Sequence, residues 1–338
     1  MLGSLNFPNV RNRQTADDRR QTNTDIVAAI SSSSREMVND KDVDILRPLS
    51  DSEVDELMQL YSDKYGVLNF HYLLLYNQRK WDHQLDAAGI SRDDEAHISM
   101  RKRFYTHRTG DFRRYGTYVS LHQDIVQSVS FFTWQPIEPV ELFACLEQTQ
   151  YIQWSKGALL TNVNLGFCER VKELATRKGA AGIQARQCHG MVLANADARG
   201  AKVPDQLSDF ELRRLTVEDA ALVHAKWTNN GEGSLAYIRA LIEHNQTLGA
   251  CRSDTGELIA WIFQNDFAGL GMLTVLAKVE RRGLGGLLAA AITKLIAKRE
   301  QVTLTAWIVD GNWRSEALLT RIGYKKSVVN EWIKLLPA

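Results

Sequence analysis

The chain has 338 residues, enough for two domains or one large one, and its 44% hydrophobic and 24% charged residues are the balance of an ordinary globular protein. Lys+Arg 41 against Asp+Glu 40 leave a formal net charge of +1, which argues against a broad nucleic-acid footprint, and no apolar run approaches the roughly 20 residues that cross a bilayer. Cys145, Cys168, Cys188 and Cys251 are scattered without paired spacing, which argues against a zinc site or disulfide framework and fits a reducing compartment.

Residues 1–42 are polar, with a low-complexity spot at Ser31–Ser34, and are expected to be a disordered tail. The first sixteen residues hold Arg11 and Arg13 and no acid, as an organelle presequence does, until Asp17 and Asp18 interrupt the pattern. A cytoplasmic location is expected, with a mitochondrial one as the alternative. Residues 43–200 are expected to form an N-terminal α/β domain. Within it Ser50 to Asp63 predicts a helix, capped by Ser50 or Asp51, with Val54, Leu57, Met58 and Tyr61 as its apolar stripe. Tyr118 to Trp134 predicts extended runs, and Pro139 to Cys145 and Asn164 to Lys178 predict helices. Ala194 to Leu207, with Asn195, Asp197, Gly200 and Pro204 as breakers, reads as a linker.

A second domain is expected over 208–338. The pattern predicts strand 209–215, helices 217–227 and 232–244, and strands 247–252, 258–264 and 269–279. Helix 284–299, strand 302–309, helix 313–321 and strand 324–336 follow. This predicts an α/β fold with a mixed, mostly antiparallel sheet and helices on both faces. The N-terminal domain is a candidate degenerate copy of the same unit.

The most informative stretch is Glu280-Arg281-Arg282-Gly283-Leu284-Gly285-Gly286, between a strand and an amphipathic helix. Glycines let a ligand approach the backbone, and the first N–H groups of a helix point at an anion. Arg281 and Arg282 add positive charge. Asp310-Gly311-Asn312 then reads as a turn with helix-capping chemistry.

Met272 to Tyr324 resembles the GCN5-related N-acetyltransferase superfamily, through this glycine turn and a second motif running from Asn312 to Tyr324. Leu212 to Trp227, Ser234 to His244 and Gly256 to Trp261 are similar to the glycine N-acyltransferase-like (FR47-like) branch. The resemblance implies acyl-CoA or acetyl-CoA as co-substrate and no metal. It implies pyrophosphate at Arg281, Arg282, Gly283, Leu284, Gly285 and Gly286, and the pantetheine arm between the strands that flank the turn. It also implies an oxyanion donor near Leu276, Ala277 or Lys278, and cofactor contacts at Asn312 and Ser315. The expected reaction is direct attack of a small amine, such as glycine, on the thioester in a ternary complex. The alternatives are a CoA-binding protein of weak or absent activity, and a protein N-acetyltransferase. The oligomeric state is left open.

Two positions depart from the superfamily pattern. Glu280 stands where Arg or Gln is usual, and Leu319 stands where a tyrosine often protonates the leaving thiolate. Asp266, just before the strand that leads to the turn, is the candidate base, with a plain loop carboxylate as the competing reading. Arg213, Arg214 and Lys226 are candidates for a substrate carboxylate.

Overall fold

The computed structural model describes residues 43–65, 70–92, 100–122, 127–135, 138–205, 208–231, 233–279 and 282–338. The expected tail over 1–42, Glu280 and Arg281 lie outside the described residues. Residues 44–338 form one compact unit.

The first half runs β1 (Leu46–Pro48), α1 (Asp51–Tyr65), α2 (Phe70–Ala87), β2 (Lys102–His107), the short α3 (Phe112–Tyr115), β3 (Tyr118–His122) and β4 (Gln127–Phe132). It continues through α4 (Val140–Gln148), β5 (Ala158–Asn164), α5 (Leu165–Arg177) and β6 (Gly182–Leu193). After the short α6 (Asn195–Arg199), the second half runs β7 (Phe210–Arg213), α7 (Ala220–Lys226), α8 (Ser234–His244), β8 (Thr247–Arg252), β9 (Leu258–Gln264) and β10 (Leu270–Val275). It ends with α9 (Leu284–Arg299), β11 (Leu304–Val309), α10 (Trp313–Ile322) and β12 (Lys325–Leu336). Apart from α3, the two halves repeat one order: strand, two helices, three strands, helix, strand, helix, strand.

All twelve strands join one sheet, ordered β1-β2-β3-β4-β5-β12-β6-β11-β10-β9-β8-β7. Its pairs are antiparallel except β4 with β5 and β10 with β11. The last strands of the halves are exchanged. β12 pairs with β5 of the first half, and β6 pairs with β11 of the second. β6 and β12 also pair with each other from Lys325↔Val192 to Leu336↔Gly182, so the halves share a seam. The sheet runs on across residues 200–208, where the sequence led us to expect a division.

Neighbouring residues on β9 show that both faces are covered. Ile262 packs with α9 residues Leu288, Ile292 and Ile296, while Trp261 and Phe263 pack with Val223 of α7 and Ile238 and Leu241 of α8. Alternate strand residues point to opposite faces, so helices lie on both sides. This explains why LIAWIFQ is apolar almost throughout and buried along its whole length. The first half is built likewise. Val119 packs with α4 and α5, and Tyr118 packs with α1 and α2.

The linker does structural work. Asn195 Nδ2 donates to the carbonyls of Ala297, Glu300 and Val302 at 3.2, 2.9 and 3.1 Å, and Arg199 Nε donates to Ala297 O at 3.0 Å. Carbonyls at the end of a helix lack intrahelical partners, and here side chains of the linker supply them. Of the expected strands that prove shorter, one bears on the site. Strand 269–279 ends at Val275 and passes into a 3-10 turn at Ala277–Val279. The cause is local: the β9 register shifts between Gly271 and Thr274, and Met272 takes φ 55 within the bulge.

Candidate functional site

The site is built around β10. On its far side β10 meets β11 at the single rung Leu270↔Ala306, and the two strands then part. α9 starts just beyond, with Gly283 as N-cap in the left-handed conformation, φ 83. Leu284 is buried on the sheet and anchors the helix start. By helix geometry the first N–H groups of α9 have no partner inside the helix. A Cβ on Gly285 would lie 3.6 Å from Leu318 Cδ1 and 3.7 Å from Val275 Cγ2, whereas one on Gly286 would meet nothing within 4 Å. The turn is therefore packed beneath and open in front, a shape that fits a phosphate at the backbone.

Arg282 is engaged at the edge of this turn. Its Nη2 donates to Asp209 at 2.6 Å, and its guanidinium carbon lies 4.7 Å from the Phe210 ring centroid. Lys278 Nζ pairs with Glu257 at 2.5 Å. The Leu276 N–H donates to Ile259 O at 2.9 Å, so this amide is used by the sheet and is not free to serve an oxyanion. Ala277 and Lys278 lie in the 3-10 turn. The bulge adds Met272 and Leu273, whose amides fall between the shifted rungs, as candidate donors that sequence reasoning missed. Asn312 caps α10, its Oδ1 accepting from Ser315 N at 3.2 Å. Leu319 is buried in the α9 core, so it provides packing and no proton.

Asp266 stands at the other end of β10, four residues before it. Its Oδ1 accepts from Tyr237 OH at 2.8 Å, and its Oδ2 accepts from Lys102 Nζ. Burial pushes the Asp266 carboxyl up, but the Lys102 charge and the hydrogen bonds from Lys102 and Tyr237 outweigh it, and the net shift is downward. Tyr237 is pushed up by burial and then by the Asp266 charge, which keeps its hydroxyl a donor. Nothing in the sequence marked Lys102. The apolar wall on this side comes from both halves, with Trp81, Leu85 and Met100 of the first packed with α7, α8 and β9 of the second. Trp227 stacks on Tyr237 with centroids 6.2 Å apart.

Other candidates are used structurally. Arg213 donates to both Asp219 oxygens at 2.7 and 2.8 Å, and Arg214 Nη2 donates to the carbonyls of Ile242, Glu243 and Asn245 at the end of α8. The four cysteines are buried and unbridged. Among the described residues, no group of His, Cys, Asp or Glu could hold a metal ion, and no helix is long and apolar enough to cross a membrane.

Residues 247–333 match the FR47-like protein family, and residues 45–174 match a domain of unknown function, DUF5645. An X-ray structure of a Drosophila melanogaster protein is 70% identical, covers 87% of this chain and 99% of its own, and superposes with TM-score 0.86. A GCN5-related N-acetyltransferase from Sphaerobacter thermophilus is 12% identical, covers 87% of this chain and 96% of its own, and superposes with TM-score 0.50. The search of curated proteins found no match.

Proposed function

We propose, for a chain that belongs to the same family as the Drosophila melanogaster protein and carries an FR47-like domain within the GCN5-related N-acetyltransferase fold, that it is an N-acyltransferase of the glycine N-acyltransferase-like branch. It moves an acyl group from acyl-CoA or acetyl-CoA to the amine of a small acceptor such as glycine. The observation that carries this reading is the geometry of β10, with an open glycine turn at one end and the Asp266–Tyr237 pair at the other. At about 3.3 Å per residue, the strand between them spans about 17 Å, enough for an extended pantetheine arm lying where β10 and β11 part.

In this reading the backbone N–H groups of Leu284, Gly285 and Gly286 hold the pyrophosphate, with Arg282 at the edge of the turn. Asn312 and Ser315 line the nucleotide end. The acceptor nitrogen attacks the thioester carbonyl carbon, and an N–H of Met272 or Leu273, in the bulge on the Asp266 side of β10, receives the charge on its oxygen. The carbon–sulfur bond breaks, the amine proton passes to Asp266, and the thiolate takes a proton from water because Leu319 has none to give. The first-half residues Trp81, Leu85 and Met100 pack against α7, α8 and β9 on the Asp266 side, and this added wall supports a small acceptor over a peptide tail.

A second reading is a CoA-binding protein of weak activity, favoured by the burial of Leu319 where a phenol is usual. Calorimetric titration with acetyl-CoA and benzoyl-CoA tests both, followed by a release assay for free thiol with glycine. Binding with turnover supports the enzyme. Binding without turnover across a screen of small amines leaves the second reading, and no binding removes both.

A further inference from the structure

The acceptor end of the site contains a charge that the second half does not own. Lys102 stands on β2 of the first half and reaches the β9–β10 connection, where its Nζ donates to Asp266 Oδ2. The two side chains are only 5% and 13% exposed. Tyr237 OH, from α8, occupies the other carboxylate oxygen at 2.8 Å. His122 lies directly across the β2–β3 ladder from Lys102 and acts on the same carboxylate. The Lys102 ammonium also sits 5.6 Å from the Trp81 ring centroid, so its position is fixed from the α2 side too. Three charged or titratable side chains, from β2, β3 and α8, thus face one carboxylate at the head of β10.

A carboxyl buried alone would take up a proton, because burial disfavours the charged form. A protonated carboxyl can neither hold an ammonium group nor accept a proton from an attacking amine. Resting on the acyl-transfer reading above, we infer that Lys102 is a positioning residue of the acceptor site: the first half supplies the cation that keeps Asp266 ionised and aimed at the incoming amine. The first half then completes the reaction centre of the second half, in addition to covering it.

The test is the acid limb of kcat/KM against pH, with acetyl-CoA or benzoyl-CoA and glycine, for the wild type and for Lys102→Met, Lys102→Arg and Tyr237→Phe. Lys102→Met should move the limb up by about one pH unit or more, with activity recovered as the pH is raised. Lys102→Arg should restore the wild-type limb, and Tyr237→Phe should move it up by less. A tie that merely joined the two halves would change stability and leave the limb where it was, so an unmoved limb in folded Lys102→Met overturns the inference. Should that variant not fold, Lys102→Gln decides, and an unmoved limb there overturns it equally. The Asp266 carboxylate carbon shift, titrated by NMR without substrate, gives a readout that needs no turnover. A wild type that binds acyl-CoA and never turns over would sink the acyl-transfer reading. The carbon titration would still report whether removing Lys102 raises the Asp266 midpoint, and an unchanged midpoint would sink the role of Lys102 on its own.

Discussion

The two halves share one order of elements and differ at the place where a ligand would enter. In the first half, β4 and β5 are zipped by the rungs Gln127↔Ala158, Ser128↔Leu159 and Val129↔Leu160. Ser130 and Thr161 add a hydroxyl–hydroxyl contact of 2.5 Å across the same strands. The helix that follows β4 has Pro139 as its N-cap and Glu141 in its first turn. A carboxylate there would repel a phosphate. The face beneath is filled by Tyr61, His71, Tyr118, Phe132 and Trp134, with His71 stacked on Phe132 at 4.2 Å. In the second half, the equivalent strands keep one rung and the equivalent helix has a glycine as its N-cap. The same scaffold is thus closed with aromatic packing on one side and left open on the other. The closed half contributes walls and, as argued above, a charge.

The largest expected effect tests this asymmetry directly. Gly285→Glu should weaken CoA binding at least about 100-fold, roughly 2.7 kcal/mol, measured by calorimetry. The fold should survive, since a Cβ at Gly285 makes ordinary contacts and a carboxylate in the first helical turn suits the dipole. Val140→Glu, at an exposed position in the first turn of α4, should leave CoA affinity within about twofold. Equal losses from both variants would remove the claim that only the open half binds.

Much of the open half was legible because its signals are local. The apolar period of α9, the glycines before it and the β-branched run of β11 each lie within a few consecutive residues. The helix beginning at Asp51 was legible for the same reason. The strand exchange was not, because nothing in KKSVVNEWIKLL says that its partners are β5 and β6 rather than β11. Lys102 was hidden for a similar reason. Its partner is 164 residues away, and an isolated lysine in a strand normally reads as a solvated edge. α2 was missed because its buried face includes His71, Asn77, Gln78, Arg79 and Asp82, which blur the apolar stripe. The end of β10 was misjudged because a bulge leaves no mark in an apolar run.

Two intermediate effects sharpen the comparison through stability. Asn195→Ala removes two donations to the end of α9 and one to the connection after it, and should cost about 1–2 kcal/mol in urea unfolding with the m-value unchanged. A neutral result would mean that the segment between the halves is a passive tether. The closed half should carry an acid sensitivity of its own. Burial pushes the His71 imidazole down to about 3, while an unfolded histidine titrates near 6.5. Between those values the unfolded chain binds a proton that the folded chain refuses. Stability is therefore complete above about pH 6.5 and falls as the pH drops, by about 1.4 kcal/mol per pH unit from this group. His71→Gln, which keeps a hydrogen-bonding partner for Tyr118, should flatten the slope by about that amount between roughly pH 4.5 and 6. An unchanged slope would show that the ring is not the group resisting protonation.

The smallest effect concerns the zipper itself. If β4 and β5 are held shut partly by Ser130 and Thr161, then Thr161→Val should cost about 1 kcal/mol, because it strands a buried hydroxyl. The double variant Ser130→Ala with Thr161→Val should recover part of that loss, since it removes both partners together, leaving a coupling energy of about 0.5–1 kcal/mol in a double-mutant cycle. CoA affinity should not change in any of the three proteins. A coupling near zero would mean that the three backbone rungs alone close the first half, and that the difference between the halves lies in main-chain pairing and not in the side chains that bridge it.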